Sequence, residues 1–296
     1  MGVVISAVLP IALVALCGVW VGRAFLLDIK TLTRLNIYVL LPALVLTGVY
    51  SSSLEIDTTA RIVAGFLLNC AVLYGVAIAV SKKLRLPADT QKSLIATTLL
   101  ANTGNIGLPF ILFALGEVAL ERAIVYLVAS AIFITSVGPT FLKGQGIRSG
   151  LKITVNLPVF WATLAGIGLQ TFTWEVPVAV DRALELMADA AIPIALLLLG
   201  IQLSRIPVKI GLYELMATGL RLVVSPLSAY GIGRLLQLEG VDLAVLVMQA
   251  SMPVAVNTLI WVTEFGGDSV RVAKTIVLST LLSFATLPTV LWLITR

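Results

Sequence analysis

Apolar stretches of about 20 residues recur from one end of this sequence to the other, separated only by short polar connections. At 1.5 Å per residue, such a stretch wound as an α-helix spans the roughly 30 Å hydrocarbon thickness of a bilayer. Little is left to face water: 12% of the 296 residues are charged and 59% are hydrophobic, against about 25% charged in an ordinary soluble domain. A soluble α/β fold would need charged helix faces alternating with short strands. A transmembrane barrel would need strict alternation over segments of about ten residues, and the run IPIALLLLGIQL at 192–203 does not alternate. The expected fold class is an all-α membrane protein.

Ten spans are predicted, at about 3–22, 33–50, 62–81, 92–114, 122–142, 155–173, 184–203, 211–235, 241–264 and 271–294. Their connections leave no room for a soluble domain. Orientation follows from Lys and Arg, which accumulate on the cytoplasmic side. With the N-terminus outside, the inner loops hold 14 of them: Arg23, Lys30, Arg34, Lys82, Lys83, Arg85, Lys92, Lys143, Arg148, Lys152, Arg205, Lys209, Arg271 and Lys274. The outer ends hold five: Arg61, Arg122, Arg182, Arg234 and Arg296. Both termini are therefore expected on the non-cytoplasmic face. The net charge of +5 is an orientation signal, and no nucleic-acid partner is expected.

Several chemistries are excluded by what the sequence lacks. There is no histidine, which removes imidazole metal sites, histidine proton relays and Ser–His triads. No Walker A loop is present for an ATP-driven pump. Gly266-Gly267-Asp268 does not have the GxGD spacing of an intramembrane aspartyl protease. Cys17 and Cys70 fall in predicted spans, so no disulfide framework is expected. No enzymatic activity and no cofactor are expected.

The two halves resemble each other. LLPALVLTG at 40–48 returns as AIPIALLLLG at 191–200, and Pro42–Pro193 and Gly116–Gly267 share a spacing of 151. Five spans per half is an odd number, so the second half must enter the membrane from the opposite side. The expected organisation is a 5+5 inverted repeat, 1–143 and 155–296, joined by a short cytoplasmic linker at 144–154. Such repeats hold their binding site near the midplane between the halves.

The candidate site follows from two interruptions. Span four carries ANTGNIGLPF at 101–110, and span nine carries SMPVAVN at 251–257. Pro109 and Pro253 remove backbone donors, and Gly104 and Gly107 tolerate non-helical angles. Unwound backbone at membrane depth persists only where protein or a water-filled cavity satisfies it. A half-helix N-terminus then offers free N–H groups and about half a positive charge to an anion. Asn102, Thr103, Asn105, Ser251, Asn257 and Thr258 add neutral donors and acceptors, a set suited to a carboxylate. Arg221, about ten residues into span eight, is either a counter-ion for that carboxylate or a structural cation tied to backbone carbonyls. Asp189, one turn from Glu185, is a candidate to carry a coupling proton; freed carbonyls would serve sodium instead.

The segments at 102–110 and 249–268 (QASMPVAVNTLIWVTEFGGD) resemble the signature segments of the auxin efflux carrier family, and AIPIALLLLG resembles its seventh span. The resemblance covers essentially the whole chain. It implies a fold like that of the bile acid:sodium symporters, in which helices 4 and 9 are broken and cross. Asn102, Asn105, Pro109, Pro253 and Asn257 would line that crossing, and a homodimer would form through the scaffold side. Plant members carry a long cytosolic loop between the halves, whereas only about a dozen residues lie there in this chain. The bacterial permeases for malonate, malate and similar acids are thus the nearer branch, with a bacterial inner-membrane location. The function implied is secondary-active transport of organic anions by an elevator-like alternating access, coupled to Na+ or H+ or to neither. An anion channel or a non-transporting sensor is the alternative.

Overall fold

A computed structural model describes residues 2–52, 54–143, 147–172, 174–204 and 211–295. Met1, Arg205, Lys209, Arg296 and positions 144–146 of the expected linker lie outside the described residues. The described chain is helical throughout, without a strand. The first half contains α1 (Gly2–Ala24), α2 (Ile29–Leu35), α3 (Leu41–Tyr50), α4 (Ile56–Lys83), α5 (Ala88–Leu99), α6 (Leu108–Leu115) and α7 (Glu117–Lys143). A π turn, Asn36–Leu40, joins α2 to α3, and another, Thr103–Gly107, leads into α6. The second half contains α8 (Ile147–Val155), α9 (Pro158–Thr171), α10 (Val178–Leu203), α11 (Leu212–Gly219), α12 (Ser225–Leu235), α13 (Gly240–Ala250), α14 (Thr258–Phe265) and α15 (Ser269–Ile294). A third π turn, Leu220–Val224, joins α11 to α12.

Six of these helical stretches are long and apolar enough to cross a membrane: Ile29–Tyr50, Ile56–Lys83, Glu117–Gly138, Val178–Leu203, Leu212–Leu235 and Ser269–Ile294. Shorter apolar helices run over Val8–Ala24, Thr103–Leu115 and Gly240–Ala250. The last two are short because each is one part of an interrupted segment. Much of the stretch expected as linker is ordered: α8 covers 147–155, and its Thr154 hydroxyl bonds the hydroxyls of Thr135 and Ser136 on α7, both at 2.8 Å. Gly150 lets α8 lie directly on α7, since a Cβ there would run into the Ser136 carbonyl. Pro158 then starts α9 anew.

The helices pack in two groups. In one, α1 lies along α10, α10 along α3, and α3 along α9. In the other, α4 packs on α5, α7 and α12, α13 on α7 and α12, and α15 on α5 and α11. Large apolar side chains also cover the outside, as with Leu13, Leu16 and Trp20 on α1 and Trp161, Leu164 and Ile167 on α9. Such a surface suits hydrocarbon rather than water. Polar contacts gather at two ends. Tyr50 donates to Asp181, Gln170 to the Ser52 carbonyl (2.6 Å), and Arg122 pairs with Asp242 at one end. At the other, the Asp268 amide donates to Ser93 (2.7 Å) and the Arg271 guanidinium lies 4.7 Å from the Tyr213 ring centroid.

The α1–α10 contact is backbone to backbone. A Cβ on Gly18 would collide with the Leu197 carbonyl, and one on Gly200 with the Ala15 carbonyl. Gly200→Ala should therefore force these helices apart and destabilise the protein by about 1–3 kcal/mol. Thermal unfolding in detergent checks this; an unchanged melting temperature would contradict the close packing.

Candidate functional site

The two interruptions meet. α5 stops at Leu99, and the chain runs extended through Leu100 and Asn102 before the π turn; α13 stops at Ala250 and the chain stays unwound until Thr258. Ala101 and Val254 form an antiparallel β-bridge. The Asn102 N–H donates to the Pro253 carbonyl at 2.8 Å, and the Ala255 N–H to the Leu100 carbonyl at 2.9 Å. The Val254 N–H donates to the Ser279 hydroxyl at 3.1 Å. Unwinding strands backbone groups in a medium that cannot hydrogen-bond them; here each break supplies partners to the other.

Four half-helix ends converge on this bridge, and they are treated differently. The C-terminal ends of α5 and α13 are held by Arg221, which is 1% exposed. Its Nη1 donates to the Thr98 carbonyl at 2.7 Å, and its Nη2 to the Ala250 carbonyl and to the Ser225 hydroxyl (2.6 Å). Ser225 in turn donates to the Ala250 carbonyl (2.8 Å) and accepts from the Asn69 amide (3.3 Å). One guanidinium thus faces two negative dipole ends, each equivalent to about half a charge. Arg221 does not line the cavity described next. Both Nη groups donate to protein, and its Nε is buried without a partner among the described residues.

The N-terminal ends remain open. Asn102 caps the second half-helix of the first break, its Oδ1 accepting from the Asn105 N–H at 3.2 Å. The backbone N–H groups of Thr103, Gly104, Val256 and Asn257 donate no hydrogen bond among the described residues. They border a cavity of about 220 Å³ whose wall includes Asn102, Thr103, Gly104, Asn105, Asn257 and Thr258. Four polar atoms of its lining residues are buried without a partner: Asn102 Nδ2, Thr258 Oγ1, Asn36 Oδ1 and Gln202 Oε1. Buried polar groups are rarely left so, and here they share one cavity. A larger cavity, about 470 Å³, lies on another face of α7, but no unpartnered buried polar atom lies at it.

The other expected site residues lie off this cavity. Gly107 gives room to the buried Gln249, whose side-chain oxygen a Cβ would strike. Pro109 starts α6 and is buried in the core. Ser251 donates to its own helix at Val247 (2.7 Å), and Pro253 contributes only its carbonyl to the bridge. Asp189 is exposed on α10 and does not border the cavity. Conversely, Asn36 and Gln202 were not anticipated. Each stands at the Lys/Arg-rich end of its expected span, Asn36 two positions after Arg34 and Gln202 three before Arg205, where an amide is no signal.

The family model for membrane transport proteins matches residues 3–151 and again 146–293. The chain belongs to this family, the auxin efflux carrier type. It is 29% identical over 271 residues to an uncharacterized transporter of Methanothermobacter thermautotrophicus, covering 90% of this chain and 88% of that one. It is 28% identical over 274 residues to an uncharacterized transporter of Methanocaldococcus jannaschii, covering 89% and 88%. A Rhizobium meliloti protein named "Putative malonate transporter" is 28% identical over 277 residues, covering 87% and 84%. With its membrane-length helices, the chain is an integral membrane protein of a transporter family.

Replacing Arg221 takes the side-chain donor from the buried Thr98 carbonyl and leaves Ser225 as the remaining side-chain donor to the Ala250 carbonyl. Arg221→Met should lower stability by about 1–3 kcal/mol, and Arg221→Lys by less, because a lysine keeps the charge but loses the fork. Chemical or thermal unfolding of the detergent-purified variants reads this out. Wild-type stability in Arg221→Met would refute the capping role.

Proposed function

We propose that this protein is a secondary-active transporter of small organic anions bearing a carboxylate, and not an enzyme. The observation that carries the reading is the imbalance at the crossing: Arg221 covers the negative half-helix ends, while the positive ends border a largely apolar cavity that holds a few polar groups. Asn102, Asn105, Asn257 and Thr258 offer neutral groups to an anion there, so no charge is left buried when the site is empty. At about 220 Å³ the cavity is smaller than the roughly 300–1,000 Å³ of drug-sized ligand pockets, which favours a short acid. The name of the Rhizobium relative points to malonate as the first candidate.

The transport cycle is alternating access, with the group holding the crossing moving against the group built on α1, α3, α9 and α10. A 5+5 inverted repeat of ten spans is supported by the double family match and by the helix stops at Leu100 and Ser251, again 151 apart. The cavity wall includes Thr33, Asn36, Leu157 and Gln202, close in sequence to Lys30, Arg34 and Lys152. The Lys and Arg distribution makes that side cytoplasmic, with both termini outside, in a bacterial inner membrane. The state described is then inward-open. A coupling Na+ would use the unpartnered oxygens of Asn36, Gln202 and Thr258, whereas a coupling H+ would need a carboxylate, the role expected of Asp189. A homodimer through the α1 and α9 surfaces completes the assembly.

The test is the melting temperature of the purified protein against a panel of mono- and dicarboxylates, with and without sodium. A ligand at one hundred times its Kd adds about 2.7 kcal/mol to the native state. One class of acid should raise the melting temperature, and Asn105→Ala and Asn257→Ala should abolish the rise while leaving the unliganded melting temperature near wild type. A rise that survives in both variants would move the site elsewhere; no transport of any bound acid in liposomes would refute the carrier reading.

A further inference from the structure

We propose that the cleft between α3 and α9 on one side and α4 and α7 on the other is a lipid site that holds an acyl chain of a membrane phospholipid. The cleft encloses about 470 Å³, and Val49, Leu67, Val125, Val128, Ile132 and Ile167 supply its apolar wall. It uses a different face of α7 from the crossing cavity, which takes Leu127, Ser130 and Ile134 from the same helix.

Of its side-chain hydroxyls, those of Ser52, Ser136 and Thr163 are already in use. Ser136 bonds Thr154 (2.8 Å), Thr163 donates to the Val159 carbonyl (2.8 Å), Ser52 donates to Glu121 (2.9 Å), and Gln170 donates to the Ser52 carbonyl (2.6 Å). A resident water needs two to four polar partners, and this wall has few to offer. A dry void of this size would forfeit packing on every side. Hydrocarbon is the occupant that satisfies both constraints, and the bilayer supplies it. Leu67 and Ile167, 45% and 47% exposed, leave the cleft open to that source.

The polar residues also set the lipid's direction. Ser52, Glu121 and Gln170 lie at one end of the cleft, where α3 ends, α7 begins and α9 ends. That is the level of the membrane surface, so a headgroup rests there and its chain runs inward. The cleft also lies in the joint between the two packing groups, so the chain would keep the joint filled as the groups move; that consequence rests on the transport reading, and the site itself does not.

The test uses the full protein in liposomes doped with a phospholipid bearing a diazirine on its acyl chain, photolysed and mapped by peptide mass spectrometry. Adducts are expected on the cleft face of α7 around Val125–Ile132 and on α9, as well as on the outward α1 residues Leu9, Leu13 and Leu16. Filling the cleft with Ala129→Phe, or with Val63→Phe should the first not fold, should remove the cleft adducts and spare those on α1. Adducts confined to α1, or cleft adducts that persist in a folded filled variant, would overturn the proposal. So would rapid labelling of Val128→Cys, with Cys17 and Cys70 replaced, by a membrane-impermeant thiol reagent, because it would mean the cleft holds water. None of these readouts involves the acid panel, so either proposal can fail without the other.

Discussion

Everything at the centre of this protein depends on one guanidinium set between two carbonyl-rich helix ends. Two broken helices that cross bring four dipole ends together, and without further charge their fields would largely cancel. Arg221 removes two of the four by bonding Thr98 and Ala250. Only an arginine offers several donors in a rigid fork with a charge that persists when buried. The site gains a positive bias although no Lys or Arg is among its lining residues. A counter-ion in direct contact would bind an acid more firmly, but it would stand as an uncompensated buried charge whenever the site emptied. A carrier must release what it binds, and partial charges on fixed N–H groups suit that demand better.

The arginine also explains why the breaks can exist. Each interruption frees several backbone groups, and the β-bridge from Ala101 to Val254 pairs only those that face each other. The carbonyls one step back, at the ends of α5 and α13, point to the other side, where Arg221 and Ser225 meet them. The bridge and the cap are therefore parts of one arrangement, and the crossing needs both.

Much of this could be read in the sequence, and the reasons are local. The helical class follows from the length of the apolar runs. The breaks follow from Pro109, Pro253, Gly104 and Gly107, and the asparagines beside them mark the residues that border the cavity. What could not be read was long-range. A sequence places Arg221 at membrane depth but does not say that Thr98 and Ala250, 123 and 29 positions away, will meet it. Asn36 and Gln202 stand at the ends of their spans beside Arg34 and Arg205, where amides are ordinary, and only packing brings them to one cavity. The connection at 144–154 carries no apolar run from which a helix could be read; the helix at 147–155 rests on α7 through Gly150 and Thr154.

The contrast between the two cavities follows from backbone integrity. Helix α7 is unbroken between them, so its backbone groups are paired within the helix, and Ser136, its hydroxyl on the cleft side, is engaged by Thr154 at 2.8 Å. A complete helix with that hydroxyl engaged can meet hydrocarbon directly, so the cleft on one face of α7 tolerates an apolar occupant. Across α7 the facing chains are unwound, and their free N–H groups cannot be left against lipid. That side must be screened from lipid by protein. The same rule, applied to the two faces of one helix, separates the proposed lipid cleft from the proposed solute cavity.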